Sequence, residues 1–244
     1  MIARWLGMPA AASAHAASLD VTMGLVHALM AVLLVGWGGF FLYTLVRFRR
    51  TRQPKADYHG ARSKASTWVE AGVAVAELAL LAGFSIPAWA ARVDAPPAAG
   101  EAVVVRVVAE QFAWDVHYPG PDGQFGETRP ELLSPTNPVG LDRASAHAAD
   151  DVVAINQLHL PVDRQVLVQL TTKDVIHSFG LPSFRVKQDA IPGMMIPVWF
   201  VPTRAGQFEI ACSQLCGLGH YRMRGFVTVE DEAAYEEWLA AQAP

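Results

Sequence analysis

The chain has 244 residues, 52% of them hydrophobic and 17% charged, with a formal net charge of −4. That length allows one or two domains, and so apolar a composition calls for membrane segments. A weakly acidic chain gives no reason to expect a nucleic-acid partner.

Residues 1–19 carry Arg4, a short apolar patch and the Ala-rich run Ala10 to Ala17. They weakly resemble a secretory leader whose apolar core is interrupted by Pro9, and are read as a leader or external segment. From Val21 to Val46 there is no Asp, Glu, Lys or Arg. At about 1.5 Å per helical residue, that run crosses a hydrocarbon core of roughly 30 Å. Gly36, Gly38 and Gly39 give it small surfaces for close helix packing, and Trp37, Phe40, Phe41 and Tyr43 suit lipid contact and an interfacial belt. His27, alone near the outer end, fits a structural hydrogen-bonder. A second apolar run, about Trp68 to Ala91, is interrupted only by Glu70 and Glu77. Residues 20–91 are therefore a transmembrane hairpin, with helices about 21–46 and 68–91.

The connection 47–64 holds seven Lys or Arg against one Asp. By the positive-inside rule it is cytoplasmic, which puts both the N-terminus and the large C-terminal part outside. Glu70 lies near the cytoplasmic end, where a carboxylate can reach water. Glu77 lies deeper, and a charge there needs a reason. It is expected to face a partner subunit rather than lipid.

Residues 92–100, rich in Pro and Ala, read as a linker, and 101–244 as an extracytoplasmic domain. Beyond Ala91 there are eleven Lys or Arg and nineteen Asp or Glu, a net charge of −8 that would steer a basic partner or simply aid solubility. Strand patterns fall at Ala102 to Val108, Val152 to Leu158, Gln165 to Thr171, Met194 to Pro202, Gln207 to Ala211 and Gly225 to Val229. Short strands with Gly and Pro turns make a β-sandwich or barrel. About thirty residues from Pro119 to Asp150 show little periodicity; they pack over a neighbouring subunit or form a surface insertion. Asp231 to Ala241 places Tyr235, Trp238 and Leu239 on one face of a short terminal helix, its acidic start suiting the helix dipole.

The only cysteines, Cys212 and Cys216, stand four apart, followed by His220 and Met223. Thiolate, imidazole and thioether are soft donors that select copper. A disulfide is the other reading in an oxidising compartment, but it leaves His220 and Met223 unexplained. Methionine is a poor zinc ligand and no Cys-x-x-Cys pair is present, which argues against zinc. A mononuclear blue-copper site needs one thiolate, whereas two thiolates can bridge two ions, each with its own terminal histidine. For the second histidine, His177 in Asp174-Val175-Ile176-His177-Ser178-Phe179 is the best candidate. His117 and His159 lack partners at metal spacing and read as surface residues.

The cysteine stretch, the Asp-Val-Ile-His-Ser-Phe run and Lys187-Gln188-Asp189-Ala190-Ile191-Pro192-Gly193 closely resemble subunit II of the haem–copper cytochrome c oxidases, over roughly residues 20–230. The resemblance implies a membrane-anchored all-β protein: a two-helix hairpin, then a cupredoxin-like Greek-key β-sandwich or barrel with a short C-terminal helix. It also implies a binuclear mixed-valence CuA centre. Cys212 and Cys216 would bridge two copper ions, His177 and His220 would be terminal ligands, and Met223 and the backbone carbonyl of Gln214 would be weak ligands. Such a subunit sits in a bacterial inner membrane and takes electrons from a c-type cytochrome on the periplasmic side. It passes them to haem in subunit I, with subunit III alongside, for oxygen reduction coupled to proton translocation.

Within that resemblance, Ser66-Thr67-Trp68-Val69-Glu70 matches the family's proton-path entry with Ser for Asn, giving Glu70 that role. Glu77 falls where the family usually has proline. Glu110-Gln111-Phe112-Ala113-Trp114 matches an aromatic electron-entry patch, with Phe112 in place of its first tryptophan. Asp189 matches an aspartate at the interface with subunit I, or is a plain turn residue. Gln214 stands where a glutamate usually helps hold magnesium, so that ion loses a carboxylate. Two other functions keep the copper loop: the CuA subunit of a membrane nitric oxide reductase, and a stand-alone membrane-tethered copper-binding protein.

Overall fold

The computed structural model describes residues 5–56, 58–60, 63–94 and 96–242. Parts of four sequence segments therefore lie outside the described residues: the first four of the leader, Asp57, Ala61 and Arg62 of the basic connection, Ala95 of the linker, and the last two of the chain. Among the described residues, the structure separates into two units, one on residues 18–91 and the other on residues 5–17 together with the described residues from 92 to 242.

The first unit is helical. Helix α1 spans Ala16–Arg47 and α2 spans Ala65–Val93, both long and apolar enough to cross a membrane. Leu81–Ser85 within α2 is wound as a π-helix, directly before Ile86-Pro87. Pro87 has no N–H to donate to the preceding turn, and the widened turn absorbs that mismatch. Glu70 and Glu77 are both exposed on α2, seven residues apart and so on one face.

Among the described residues of the second unit, ten strands form two five-stranded sheets. The first sheet has the order β3 (Val152–Ile155), β2 (Ala113–Tyr118), β1 (Val103–Glu110), β5 (Val166–Thr172), β8 (Ile196–Phe200). The second runs β4 (Gln157–Pro161), β10 (Arg224–Glu230), β9 (Gly206–Cys212), β6 (His177–Leu181), β7 (Val186–Ala190). Only β1–β5 and β4–β10 pair in parallel; the rest are antiparallel. Alternation along β1 explains the layering: Val105, Val107 and Ala109 are fully buried in the core with Trp114, Val168, Phe179 and Ile210. The expected sandwich with a terminal helix is what forms.

Details differ from the sequence patterns where long-range contacts decide. The run Val152 to Leu158 is two strands in different sheets, because Asn156 takes a left-handed conformation (φ 59°) between them. Its Oδ1 accepts the Trp114 N–H and its carbonyl accepts the Phe226 N–H, so the break is tied to both sheets. The stretch 119–150 packs on its own sheet rather than standing as a plain insertion. Val139, Leu141 and Ala148 form a second small core on Val108 and Val153, covering the outer face of β1, β2 and β3. Helix α3, Glu232–Gln242, is capped by Asp231, whose Oδ1 accepts the Ala234 N–H.

The Ala-rich N-terminal run belongs to this unit. The Ala12 N–H donates to the Ser183 carbonyl at 2.8 Å, the Ala14 N–H to Val201 at 3.0 Å, and the Thr203 N–H back to Ala12 at 2.9 Å. The Ser13 hydroxyl donates to the Phe184 carbonyl at 2.6 Å, and Ala12 and Ala16 are fully buried. Small side chains let this backbone lie against the sandwich.

Candidate metal centre

Two loops at one end of the second sheet carry the donors. His177 opens β6, while Cys212 closes β9 and begins the turn that runs to β10. The two sulfurs lie 3.8 Å apart, and both cysteines are free. His177 Nδ1 is 3.9 Å from Cys212 Sγ and 3.2 Å from Met223 Sδ. Cys216 Sγ is 3.6 Å from His220 Nδ1 and 3.7 Å from Met223 Sδ. Cys212 Sγ donates to the Gln214 carbonyl at 3.2 Å. The six positions expected for copper are thus linked donor to donor: His177, Cys212 and Cys216 form one mutual group, and Met223, His220 and the Gln214 carbonyl adjoin it. Two thiols, two imidazoles, a thioether and a carbonyl form a soft donor set that fits a thiolate-bridged copper pair.

The surroundings suit a metal. His177 is fully buried, and its Nε2 donates to Asp174 Oδ1 at 2.8 Å, leaving the Nδ1 lone pair toward the sulfurs. Burial by itself would raise the Asp174 carboxyl, but hydrogen bonds from His177 and from the Gln111 and Val175 N–H groups hold it below its ordinary value. Burial and the adjoining Cys212 thiol push the Cys216 thiol up to about 11, so an incoming metal must displace its proton.

The β1–β2 turn forms the roof. Gln111 Nε2 donates to the Cys216 carbonyl at 2.6 Å, and the Phe112 ring lies against Gly217 and Gly219 of the loop. A Cβ on Gly219 would fall 2.4 Å from that ring, so only glycine fits beneath it. Trp114 is fully buried, its ring centre 6.2 Å from that of His177 and 5.5 Å from that of Phe179. It is a core neighbour of the ligand and offers no surface to a visiting protein. Asp189 lies within β7 opposite Ser178, two residues short of the Ile191-Pro192-Gly193 turn. Glu70 and Glu77 lie in the helical unit, away from these ligands in sequence.

Two histidines depart from their surface reading. His117 is fully buried and 2.6 Å from Asp151, because the 119–150 stretch covers its face of β2. His159 is half-buried, stacked on Trp238 with ring centres 3.8 Å apart. Sequence reasoning also missed Asp174 and Gln111; the position of Asp174 three residues before His177 was the one local signal available for either.

The family model for the periplasmic domain of cytochrome c oxidase subunit II matches residues 103–230. The chain belongs to the cytochrome c oxidase subunit II family. It is 39% identical over 204 residues to the alternative cytochrome c oxidase subunit 2 of Bradyrhizobium diazoefficiens, covering 83% of this chain and 72% of that one. It is 30% identical over 248 residues to cytochrome c oxidase subunit 2 of Cereibacter sphaeroides, covering 96% and 78%. Among solved structures, the periplasmic domain of subunit II (CoxB) of Bradyrhizobium japonicum is similar, with 31% identity, 57% of this chain, 92% of that one and a TM-score of 0.43. With its two apolar helices, this subunit II chain is a two-pass inner-membrane protein whose C-terminal domain is periplasmic.

Proposed function

We propose that this chain is the electron-entry subunit of a respiratory terminal oxidase. It would take electrons from a c-type cytochrome on the periplasmic side and hand them to haem in subunit I, for reduction of oxygen to water coupled to proton translocation. The observation that carries this is the cluster of Cys212, Cys216, His177, His220, Met223 and the Gln214 carbonyl, linked donor to donor at one end of the sheet, with His177, Cys216 and Met223 buried. Copper held by these residues would supply a one-electron store there.

The chain's own residues do the rest. Cys212 and Cys216 would hold the copper through their sulfurs and His177 and His220 through their ring nitrogens, with Met223 and the Gln214 carbonyl as weak ligands. Asp174 fixes the tautomer and ring orientation of His177. Trp114 and Phe179 exclude water on the core side, which keeps solvent reorganisation small. Leu215, Leu218 and Tyr221 stand exposed around the loop, an apolar collar that suits a permanent protein partner. Phe112, above the loop, is the electron-entry residue, and Trp114 serves behind His177. Glu70 would open a proton path into subunit I, and Glu77 and Asp189 would lie at subunit interfaces. Gln214 brings an amide where a magnesium site needs a carboxylate, so this chain adds no charged ligand there.

Copper content and the electron paramagnetic resonance spectrum of the purified complex test the reading. Two coppers per chain beyond those of subunit I, with a seven-line hyperfine pattern from one electron shared by two nuclei, are expected. One copper with a four-line pattern, zinc, or an oxidised cysteine pair would sink it.

A further inference from the structure

The ligands come from two separate loops, and one residue outside both joins them. Gln111 lies in the turn between β1 and β2. Its backbone N–H donates to Asp174 Oδ2 at 2.7 Å, and the other oxygen of that carboxylate accepts from His177 Nε2 at 2.8 Å. Its side-chain amide donates to the Cys216 carbonyl at 2.6 Å. A continuous hydrogen-bonded path therefore runs from the thiolate loop through Gln111 to the histidine on β6.

The rest of the turn fits that purpose. Gly217 has a φ of 136°, and a Cβ there would fall 2.6 Å from Gln111 Nε2, so the loop is bare where the amide seats. The turn is braced on its other flank. Lys173 Nζ lies 2.5 Å from Glu110 and 3.0 Å from the buried Asp115, and donates to the Pro138 carbonyl at 2.7 Å. The Lys173 N–H also donates to the Ala109 carbonyl at 3.0 Å.

We infer that Gln111 is a positioning residue for the metal centre: it locks the Cys216 main chain, and with it one bridging sulfur, at a set distance from His177. This rests on the copper reading above. Gln111 touches no ligand atom, so it acts through the backbone of Cys216 and through Asp174. A loop held only by its ligands would shift with each change of metal charge. A loop pinned by an amide donor keeps its sulfur in place, which a fast electron relay needs.

Three variants in the intact complex separate a donor effect from packing or charge. Gln111→Met keeps the length and removes the donor; Gln111→Glu turns an acceptor toward the Cys216 carbonyl; Gln111→Lys supplies a donor of similar reach. The Met and Glu variants should show altered copper hyperfine splittings, a shifted midpoint potential and copper loss to a chelator about tenfold faster. The Lys variant should stay close to wild type. Copper lost from the Met variant but retained by the Lys variant also supports the inference. Three variants that behave alike, whether all unchanged, all shifted or all copper-free, overturn it. A wild-type complex without the seven-line spectrum defeats the copper reading itself, whereas unchanged variants of a seven-line wild type defeat only the role of Gln111.

Discussion

Two buried histidines each lie against an aspartate in the same sandwich, and only one faces metal donors. His177 and His117 are both fully buried, and each lies against a carboxylate, at 2.8 Å from Asp174 and 2.6 Å from Asp151. His177 turns its other nitrogen toward Cys212 and Met223. His117 meets the Phe125 ring in a T-shaped contact, with centres 4.9 Å apart, and Asp151 also accepts the Gly126 N–H at 2.9 Å. The pairing alone therefore does not mark a ligand. What separates the two is the far side of the ring: sulfur in one, covering loop in the other. The first pair orients a histidine for chemistry, and the second fastens the 119–151 stretch onto its sheet.

That division predicts opposite consequences for matched substitutions, and the largest should come at the covering loop. Asp151→Ala leaves His117 and the Gly126 N–H buried without their acceptor, a loss of about 3 kcal/mol. The denaturant midpoint of the copper-free chain in detergent should fall accordingly, while copper retention after loading stays near wild type. Asp174→Ala should do the reverse: roughly tenfold or greater weakening of copper retention, with a smaller loss of apo stability because Asp174 is partly exposed. Equal stability losses, or copper release from the Asp151 variant, would erase the distinction.

A pH titration is the next largest test. Burial holds the His117 imidazole below its ordinary value despite the pull of Asp151 toward protonation. In the folded chain it therefore binds a proton less readily than in the unfolded chain, whose histidine titrates near 6.5. Stability from this group is complete above that pH and drains away below it, by at most about 1.4 kcal/mol per pH unit until the folded group also titrates. Copper-free chain should lose stability from about pH 6.5 downward, and His117→Gln should flatten that limb. An unchanged slope in the variant would assign the acid sensitivity to other groups.

The candidate donor cluster was legible because short spacings of rare donors mark it: Cys212, Cys216, His220 and Met223 fall within one loop, and a thiolate pair calls for a second histidine. The helices were legible from their apolar length, although α1 begins at Ala16, where the N-terminal segment joins the sandwich, and not at Val21. What stayed hidden depends on contacts distant in sequence. Nothing in 119–150 repeats at a strand or helix period, so its hold on Val108, Val153 and His117 left no pattern to read. The same reason concealed how the N-terminal run packs, since no local pattern points to Ser183 and Val201 as its partners. Asn156 looks like one polar residue in a strand, and only its left-handed backbone reveals two strands in two sheets. Gln111 reaches Cys216 across more than a hundred residues of sequence. Long-range hydrogen bonds of that kind have no local signature.

A third pair sharpens the comparison at its weak end. His159 Nδ1 lies 2.8 Å from Glu230, with the two side chains 13% and 23% exposed, and its ring is stacked on Trp238 of α3 at an interplanar angle of 2°. Here the carboxylate is not the fastening. The imidazole already has the indole face, and water reaches Glu230, so charge there is screened. Glu230→Gln keeps an acceptor oxygen and removes only the charge; it should cost less than about 1 kcal/mol and leave copper untouched. Trp238→Ala removes the stacked surface and the edge contact with Tyr118, centres 5.3 Å apart, and should cost about 3 kcal/mol. The ratio of the two, read from denaturant midpoints, decides whether this histidine is held by its aromatic neighbour or by its charge. A larger loss from the Glu230 change than from the Trp238 change would place His159 with His117, as a pair whose carboxylate carries the load.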